Sequence, residues 1–402
     1  GAIRMGDGRV LYRRVWHISE FSGASDGMLI GGDAIPYGGH TPTGVNGADP
    51  NDPGPNGTGP GHLRPGTDES SPTGSLIVST SATPLLKPPA IAKGEAIGVV
   101  APSYSPRSGP LMRGVKALER AGYAVILDPD IAQLRRFQRH EDERRASNFM
   151  GMWLDPRIKA VIGGTGGYGA VRMLPYLEPE IFRNNPKIFV GYSDITALHL
   201  WLMRQAGLRV FHGPTVDDLI PIARDPTTSS LLAALTTPRL ATRLGRDIAR
   251  AVRPGRATGR LTGGNLSMVQ QTIGTPYEID THGAILFLEE THDPMSVADE
   301  RLVHLRAAGL LKDVRGIVFG QLSLDRSEED EFEDFLLDLL ADLDVPILMD
   351  FPAGHEVPNL TLPLGTEVEL VADELTGWLS YKEDALSSAE PDPSVEIVLE
   401  TP

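Results

Sequence analysis

The sequence predicts an α/β protein: a helix-covered parallel sheet, then a smaller mixed α+β half, both preceded by a low-complexity extension. Three observations carry this prediction. From about residue 93 onward, short apolar runs alternate with helical periodicities, the pattern of strands buried on both faces between crossover helices. After Arg253-Pro254-Gly255 the alternation becomes more mixed, and that Pro-Gly pair marks a junction. Before residue 90 the chain is rich in Gly, Pro, Asn, Asp, Ser and Thr, with almost no large apolar side chains between Gly38 and Gly74. Such a stretch buries too little surface to offset its ordering entropy. Residues 1–90 are therefore expected to be a disordered extension, with a short structured piece around residues 10–16.

Taken in order, Ala96-Ile97-Gly98-Val99-Val100-Ala101, closed by Pro102 and Ser103, reads as the first buried strand. Helical spacing over residues 111–121 stops at Gly122, and Ala124-Val125-Ile126-Leu127 is the second strand. A charged helix over about 141–153 leads to a third strand at 158–162. Strand 187–190, helix 194–205, strand 210–211 and a weaker helical region at 226–250 follow. Together these predict a flavodoxin- or Rossmann-like N-terminal domain over residues 91–252. The C-terminal domain, residues 256–385, is expected to hold strands at 260–261, 284–288, 316–319, 347–349 and 367–371, with helices at 266–272 and 295–308. Its acidic helix opens at Ser327-Glu328-Glu329-Asp330, with Ser327 and Asp330 spaced as a capping box. That acid reads as a solvated face without chemistry. Residues 386–402 are read as a tail with a terminal strand at 394–399.

Composition removes several function classes. The 402 residues include no cysteine, which excludes disulfides, thiolate metal sites and a cysteine nucleophile. A net charge of -16 argues against nucleic acid or an anionic membrane surface as the main partner. No run approaches the roughly 18 apolar residues of a membrane span, and Met28-Leu29-Ile30 is too short for a secretory signal. A soluble, cytoplasmic protein is the expectation. His282, His292 and His304 lack zinc-site spacing, so neither metal nor cofactor is expected.

Three segments could carry chemistry. In Ile188-Phe189-Val190-Gly191-Tyr192-Ser193-Asp194 an apolar strand turns sharply into a helix, a place where a serine can be held up as a nucleophile with amides facing a developing oxyanion. A serine there also serves commonly as a plain N-cap, and Ile195 departs from the G-x-S-x-G elbow. Gly163-Gly164-Thr165-Gly166-Gly167-Tyr168-Gly169 follows a strand and brings backbone N–H groups close to an anion or carbonyl oxygen. It lacks the lysine of a phosphate-binding loop, and a simple tight turn is the competing reading. The third segment is a pair: Glu289-Glu290 ends an apolar strand, and Gly354-His355 lies in a loop after another. A carboxylate so placed can orient a histidine that acts as base toward a serine. Of the other histidines, His199 reads as a packed helix residue and His212 as able to line a pocket.

In their number and order these segments, with Ala101-Pro102-Ser103, Asp155-Pro156-Arg157, Gly263-Gly264-Asn265-Leu266, Gly274-Thr275-Pro276-Tyr277 and Leu362-Pro363-Leu364-Gly365, resemble the LD-carboxypeptidase family of serine peptidases. That family includes the microcin-immunity carboxypeptidases. The likeness spans about residues 90–385. It implies Ser193 as nucleophile, His355 as general base and Glu289 as its orienting carboxylate. The Asp194 N–H and an amide of the glycine loop, Gly167, would form the oxyanion hole. The implied substrate is a muropeptide tetrapeptide that loses its terminal D-alanine during cell-wall recycling, and a homodimer is implied too. Thr165 stands where the family often carries an arginine. Microcin-immunity relatives bear an aromatic loop between serine and glutamate that stacks on a nucleotide, whereas residues 216–258 contain no Phe, Tyr or Trp. Two alternatives stay open: a carboxypeptidase cleaving peptidyl or aminoacyl nucleotide antibiotics, and a non-catalytic peptide-binding module on the same fold.

Overall fold

The computed structural model describes residues 2–4, 10–12, 84–133, 138–240, 243–291, 294–322 and 329–388. Most of the expected extension, the residue Ser327 proposed as a cap, and the expected strand at 394–399 lie outside the described residues. Two short strands, β1 (Ala2–Arg4) and β2 (Val10–Tyr12), form an antiparallel ladder.

The predicted α/β architecture is present. Five strands, β3 (Ala96–Val100), β4 (Ala124–Leu127), β5 (Ile158–Gly163), β6 (Ile188–Gly191) and β7 (Val210–His212), pair in parallel in the order β7-β6-β5-β3-β4. Helices α1 (Ser108–Arg120), α2 (Arg139–Leu154), α3 (Ala170–Met173), α4 (Pro179–Asn184), α5 (Thr196–Trp201) and α6 (Pro226–Thr236) punctuate them. Because crossover helices cover both faces of a parallel sheet, its strands read as near-continuous apolar runs. Accordingly Ile97, Val99, Val161, Ile162, Phe189 and Val190 are all fully buried. An aromatic cluster of Phe149, Trp153, Phe182 and Phe189 packs at centroid distances of 4.9–6.2 Å. Residues just before the first predicted strand also contact the fold: Leu86 bridges to Leu208, and Pro89 to Ser387.

The second sheet contains β8 (Arg250–Arg253), β9 (Gly255–Asn265), β10 (Ala284–Glu289), β11 (Gly316–Phe319), β12 (Ile347–Met349), β14 (Glu367–Ala372) and β15 (Gly377–Tyr381). Its order is β15-β14-β9-β10-β11-β12-β8. The four central strands are parallel, and the outer three join antiparallel. An Arg250–Thr376 bridge links β8 at one edge to the β14–β15 turn at the other, so the sheet curls on itself. Helices α7 (Leu266–Gln271), α8 (Met295–Ala307) and α9 (Glu329–Leu339) accompany it. Phe332 and Leu336 of α9 are buried, which gives the acidic segment its apolar face.

Sheet membership does not follow the chain in two consecutive blocks. β8 ends at Arg253 yet already pairs with β12. Conversely β13 (Leu362–Leu364) leaves the second half and pairs antiparallel with β7, completing the first sheet. The region read as helical over 226–250 is helix only to Thr236. Beyond it, the Leu244–Leu379 bridge and the turn at Gly245 use the backbone polar groups for sheet contacts instead.

One buried group of the first sheet is electrostatically costly. Asp128, at the end of β4, is 3% exposed, and burial raises its carboxyl to about 7 despite hydrogen bonds from the Asp130 N–H and Asn148. A carboxyl whose folded pKa lies above its unfolded value favours folding at low pH, and that contribution is lost as pH rises towards 7. Asp128→Asn keeps the shape without the charge. Thermal melts at a series of pH values should show the variant gaining on the unmutated chain between pH 4 and 7, then levelling off. A constant difference across that range would contradict the assignment.

Candidate active site

Ser193 comes one residue, Tyr192, after β6 and opens a single 3-10 turn, Ser193–Ile195, that runs into α5. Its φ is 59°, the left-handed region that a serine with a Cβ adopts only at a cost. The side chain is only partly buried. A Cβ built on Gly166 would lie 3.3 Å from Ser193 Cβ and 3.5 Å from its Oγ, so the glycine loop runs directly alongside this serine. Asp194 is buried and its carboxylate Oδ2 accepts hydrogen bonds from Ser103 Oγ at 2.6 Å and from the Ala170 N–H at 2.8 Å. The expected oxyanion residue thus also ties the serine turn to two other segments.

Glu289 and His355 meet, although 66 residues separate them. His355 Nδ1 donates to Glu289 Oε2 at 2.7 Å, with the glutamate side chain fully buried and the histidine 16% exposed. The loop geometry requires glycine before the histidine: Gly354 has φ 134°, and a Cβ there would sit 3.0 Å from Glu289 Oε2. The His355 ring packs on Tyr192 at 4.8 Å, and Tyr192 is the residue before Ser193. The Glu289–His355 pair therefore stands beside the residue that precedes Ser193, at the end of β6. Burial presses the His355 pKa down, but the Glu289 hydrogen bond and the charges of Glu289, Glu290 and Asp218 carry it above the ordinary histidine value. Glu289 itself is raised by burial, against the pull of His355.

The next residue, Glu290, points away from the histidine because successive side chains alternate across a strand. It accepts from Asn265 Nδ2, the Ser267 N–H and hydroxyl, and Arg301, anchoring α7 and α8. Around the imidazole stand residues that sequence reasoning did not single out. Tyr192 donates its hydroxyl to Asp218 Oδ1 at 3.4 Å. The Asp217 N–H bonds the Gly164 carbonyl, joining the 216–218 turn to the glycine loop. His212, read as able to line a pocket, is fully buried against Phe287 at 4.9 Å, and burial lowers its pKa. His199 packs on Phe189 at 5.4 Å, as expected. Among the described residues no group of three His, Asp or Glu side chains could hold a metal ion, and no helix is long and apolar enough to cross a membrane. A guanidinium does approach the glycine loop: Arg145 Nη1 would lie 2.6 Å from a Cβ on Gly169. It is buried and committed to Pro102 O, Ser103 O and Asp142, so it braces the loop from inside the protein.

Family models add an independent line. Residues 97–213 match the N-terminal domain, and residues 258–370 the C-terminal domain, of LD-carboxypeptidase. The chain belongs to the LD-carboxypeptidase family. Among curated relatives, a probable murein peptide carboxypeptidase of Bacillus subtilis (strain 168) is 32% identical over 310 residues, covering 72% of this chain and 93% of the relative. The microcin C7 self-immunity protein MccF of Escherichia coli is 26% identical, covering 76% and 98% respectively. A crystal structure of muramoyltetrapeptide carboxypeptidase from Oxalobacter formigenes superposes with a TM-score of 0.63 at 26% identity, covering 73% of this chain and 100% of that one. The chain is thus a carboxypeptidase by family, and solved structures of both kinds of relative share its architecture.

The Glu289–His355 pair has a direct signature. An NMR titration of the His355 imidazole should give a pKa above that of an unperturbed histidine. Glu289→Gln removes the main raising influence, so the value should fall; an unchanged value would mean that the hydrogen bond does not set it.

Proposed function

We propose that this protein is a serine carboxypeptidase that hydrolyses the L,D-peptide bond to the C-terminal D-alanine of muropeptide tetrapeptides, serving cell-wall recycling in the cytoplasm. The observation that carries the proposal is a His355 hydrogen-bonded to buried Glu289 and packed on Tyr192, the residue before a Ser193 that is held at φ 59° beside the glycine loop. With Nδ1 committed to the carboxylate, Nε2 of His355 is left to take the proton from Ser193 as its oxygen attacks the scissile carbonyl. Glu289 stabilises the imidazolium that forms. The Asp194 and Gly167 amides stabilise the tetrahedral oxyanion. Collapse breaks the peptide C–N bond as the His355 imidazolium gives its proton to the leaving amine of D-alanine. The now neutral His355 takes a proton from the water that attacks the acyl-enzyme, releasing the shortened peptide and restoring Ser193.

A raised His355 pKa has a consequence for rate. The base must be neutral to accept a proton, so kcat/KM should climb with pH along a limb set by the His355 pKa, above the ordinary histidine value.

The murein peptide carboxypeptidase relative and the muramoyltetrapeptide carboxypeptidase structure support the tetrapeptide substrate. The likeness to the microcin self-immunity protein supports a second reading, cleavage of aminoacyl nucleotides. Against it, residues 216–258 offer no aromatic face to a base.

The deciding assay is release of free D-alanine from L-Ala-D-Glu-meso-diaminopimelate-D-Ala. The unmutated protein should release it, and Ser193→Ala should lose activity by on the order of 10³-fold or more. Release by both proteins would refute the nucleophile. Release by neither, together with cleavage of an aminoacyl sulfamoyl adenylate, would move the assignment to the second reading.

A further inference from the structure

The Ala101-Pro102-Ser103 segment is a sequence landmark to which the mechanism above gives no task. In the structure it closes the first strand, β3, and touches both halves of the expected oxyanion site. On one side, the buried Ser103 hydroxyl donates to Asp194 Oδ2 at 2.6 Å, and the same oxygen accepts the Ala170 N–H at 2.8 Å. Asp194 follows Ser193, so this carboxylate fixes the turn that carries the serine. On the other side, the Tyr104 N–H donates to the Gly166 carbonyl at 3.3 Å, and the Tyr104 ring lies where a Cβ on Gly167 would be, 2.3 Å from Cγ. The segment is itself held: Arg145 donates to the carbonyls of Pro102 at 2.6 Å and Ser103 at 3.3 Å, while its other nitrogen pairs with Asp142.

Burial raises the Asp194 carboxyl, and the Ser103 hydroxyl is foremost among the contacts that oppose this. An acceptor so placed, with Oδ1 lacking a protein partner, depends on its few donors to stay in one orientation. We propose that Ser103 is a positioning residue for the reaction: through Asp194 it holds the Ser193 turn in register with the glycine loop. The distance between the Asp194 and Gly167 amides is then set by one short segment that grips both. The role rests on the reading of Ser193 as nucleophile. Ser103 touches no substrate; it acts through Asp194.

The test measures the rate of Ser193 labelling by a fluorophosphonate, together with kcat and KM on the tetrapeptide, in the full chain. The variants are Ser103→Ala, which deletes the donor, and Ser103→Cys, which keeps nearly the same volume with a much weaker donor. Labelling of the unmutated protein, absent in Ser193→Ala, checks the underlying reading separately from this one. Absence of that labelling would overturn the nucleophile and the Ser103 role with it. Given that labelling, both Ser103 variants should label more slowly and lose kcat by roughly 10- to 100-fold, since small misplacement of a reacting group is costly. KM should change by less than about twofold, because uniform binding is untouched. Ser103→Cys, whose melting temperature should stay near that of the unmutated chain, separates positioning from folding. Labelling of Ser103→Cys at the unmutated rate, or a loss confined to KM, would overturn the proposal.

Discussion

The hydrogen bond from the Asn265 N–H to the Thr196 hydroxyl, 3.1 Å long and buried, is the joint on which the site depends. Ser193 is carried by the first sheet, whereas Glu289 and His355 are carried by the second, so the three align only if the sheets meet in one fixed way. At the joint, Gly264 has φ 136°, and a Cβ there would lie 2.7 Å from the Thr196 side chain. Only glycine lets the end of β9 press so closely on the start of α5. Asn265 then does three further things: it stands opposite Glu289 in the β9–β10 register, donates to Glu290, and caps α7 through the Met268 N–H. A displacement at this residue would reach the serine turn, the histidine's carboxylate and a helix start together. The Gly263-Gly264-Asn265-Leu266 landmark is therefore a structural requirement of a divided site.

Much of the first sheet was legible because strands buried on both faces leave uninterrupted apolar runs, as at Val99, Val161 and Phe189. The strands that went unread have physical reasons. Leu362-Pro363-Leu364 contains a proline, which argues against a strand unless it lies at an edge, and β13 does lie at the edge of its sheet. The first half of β9, Gly255–Gly259, is glycine-rich and charged, and its strand character comes from pairing with β14. The candidate site was legible at its anchors, since a serine after a strand, a glutamate ending one and a glycine-histidine loop each sit where chains commonly place chemistry. Their partners were not. Ser103 and Asp194 are 91 residues apart and Tyr192 and His355 farther still, and no local pattern in one sequence reports such pairs. His212, able by its place in the sequence to line a pocket, is closed in by partners distant in the chain, β13 and Phe287.

Negative charge gathers around the imidazole in a chain that is already strongly acidic. Glu289, Glu290 and Asp218 all favour the imidazolium, the species that His355 would become as the proposed base. Burial favours the neutral ring, the species needed beforehand. Their opposition keeps both forms within reach, and it arises from strand alternation: one of two adjacent carboxylates faces His355 while the other is spent on α7, α8 and Arg301.

The return of β13 to the first sheet bears on how the chain is made. β7 presents an open edge from the moment it emerges from the ribosome, and its antiparallel partner is not synthesised until Leu364 has passed. An unpaired edge is a template for pairing with other chains, and a nascent protein in this state is at risk of aggregation. The short length of β7, three residues, limits that template while the ribosome completes the second half. The same loop that delivers His355 to Glu289 leads straight into β13, so the strand that seals the first sheet arrives only after the histidine. A truncated nascent chain would thus be left with an open sheet and without the histidine that pairs with Glu289, so the proposed site would be complete only once that loop has been made.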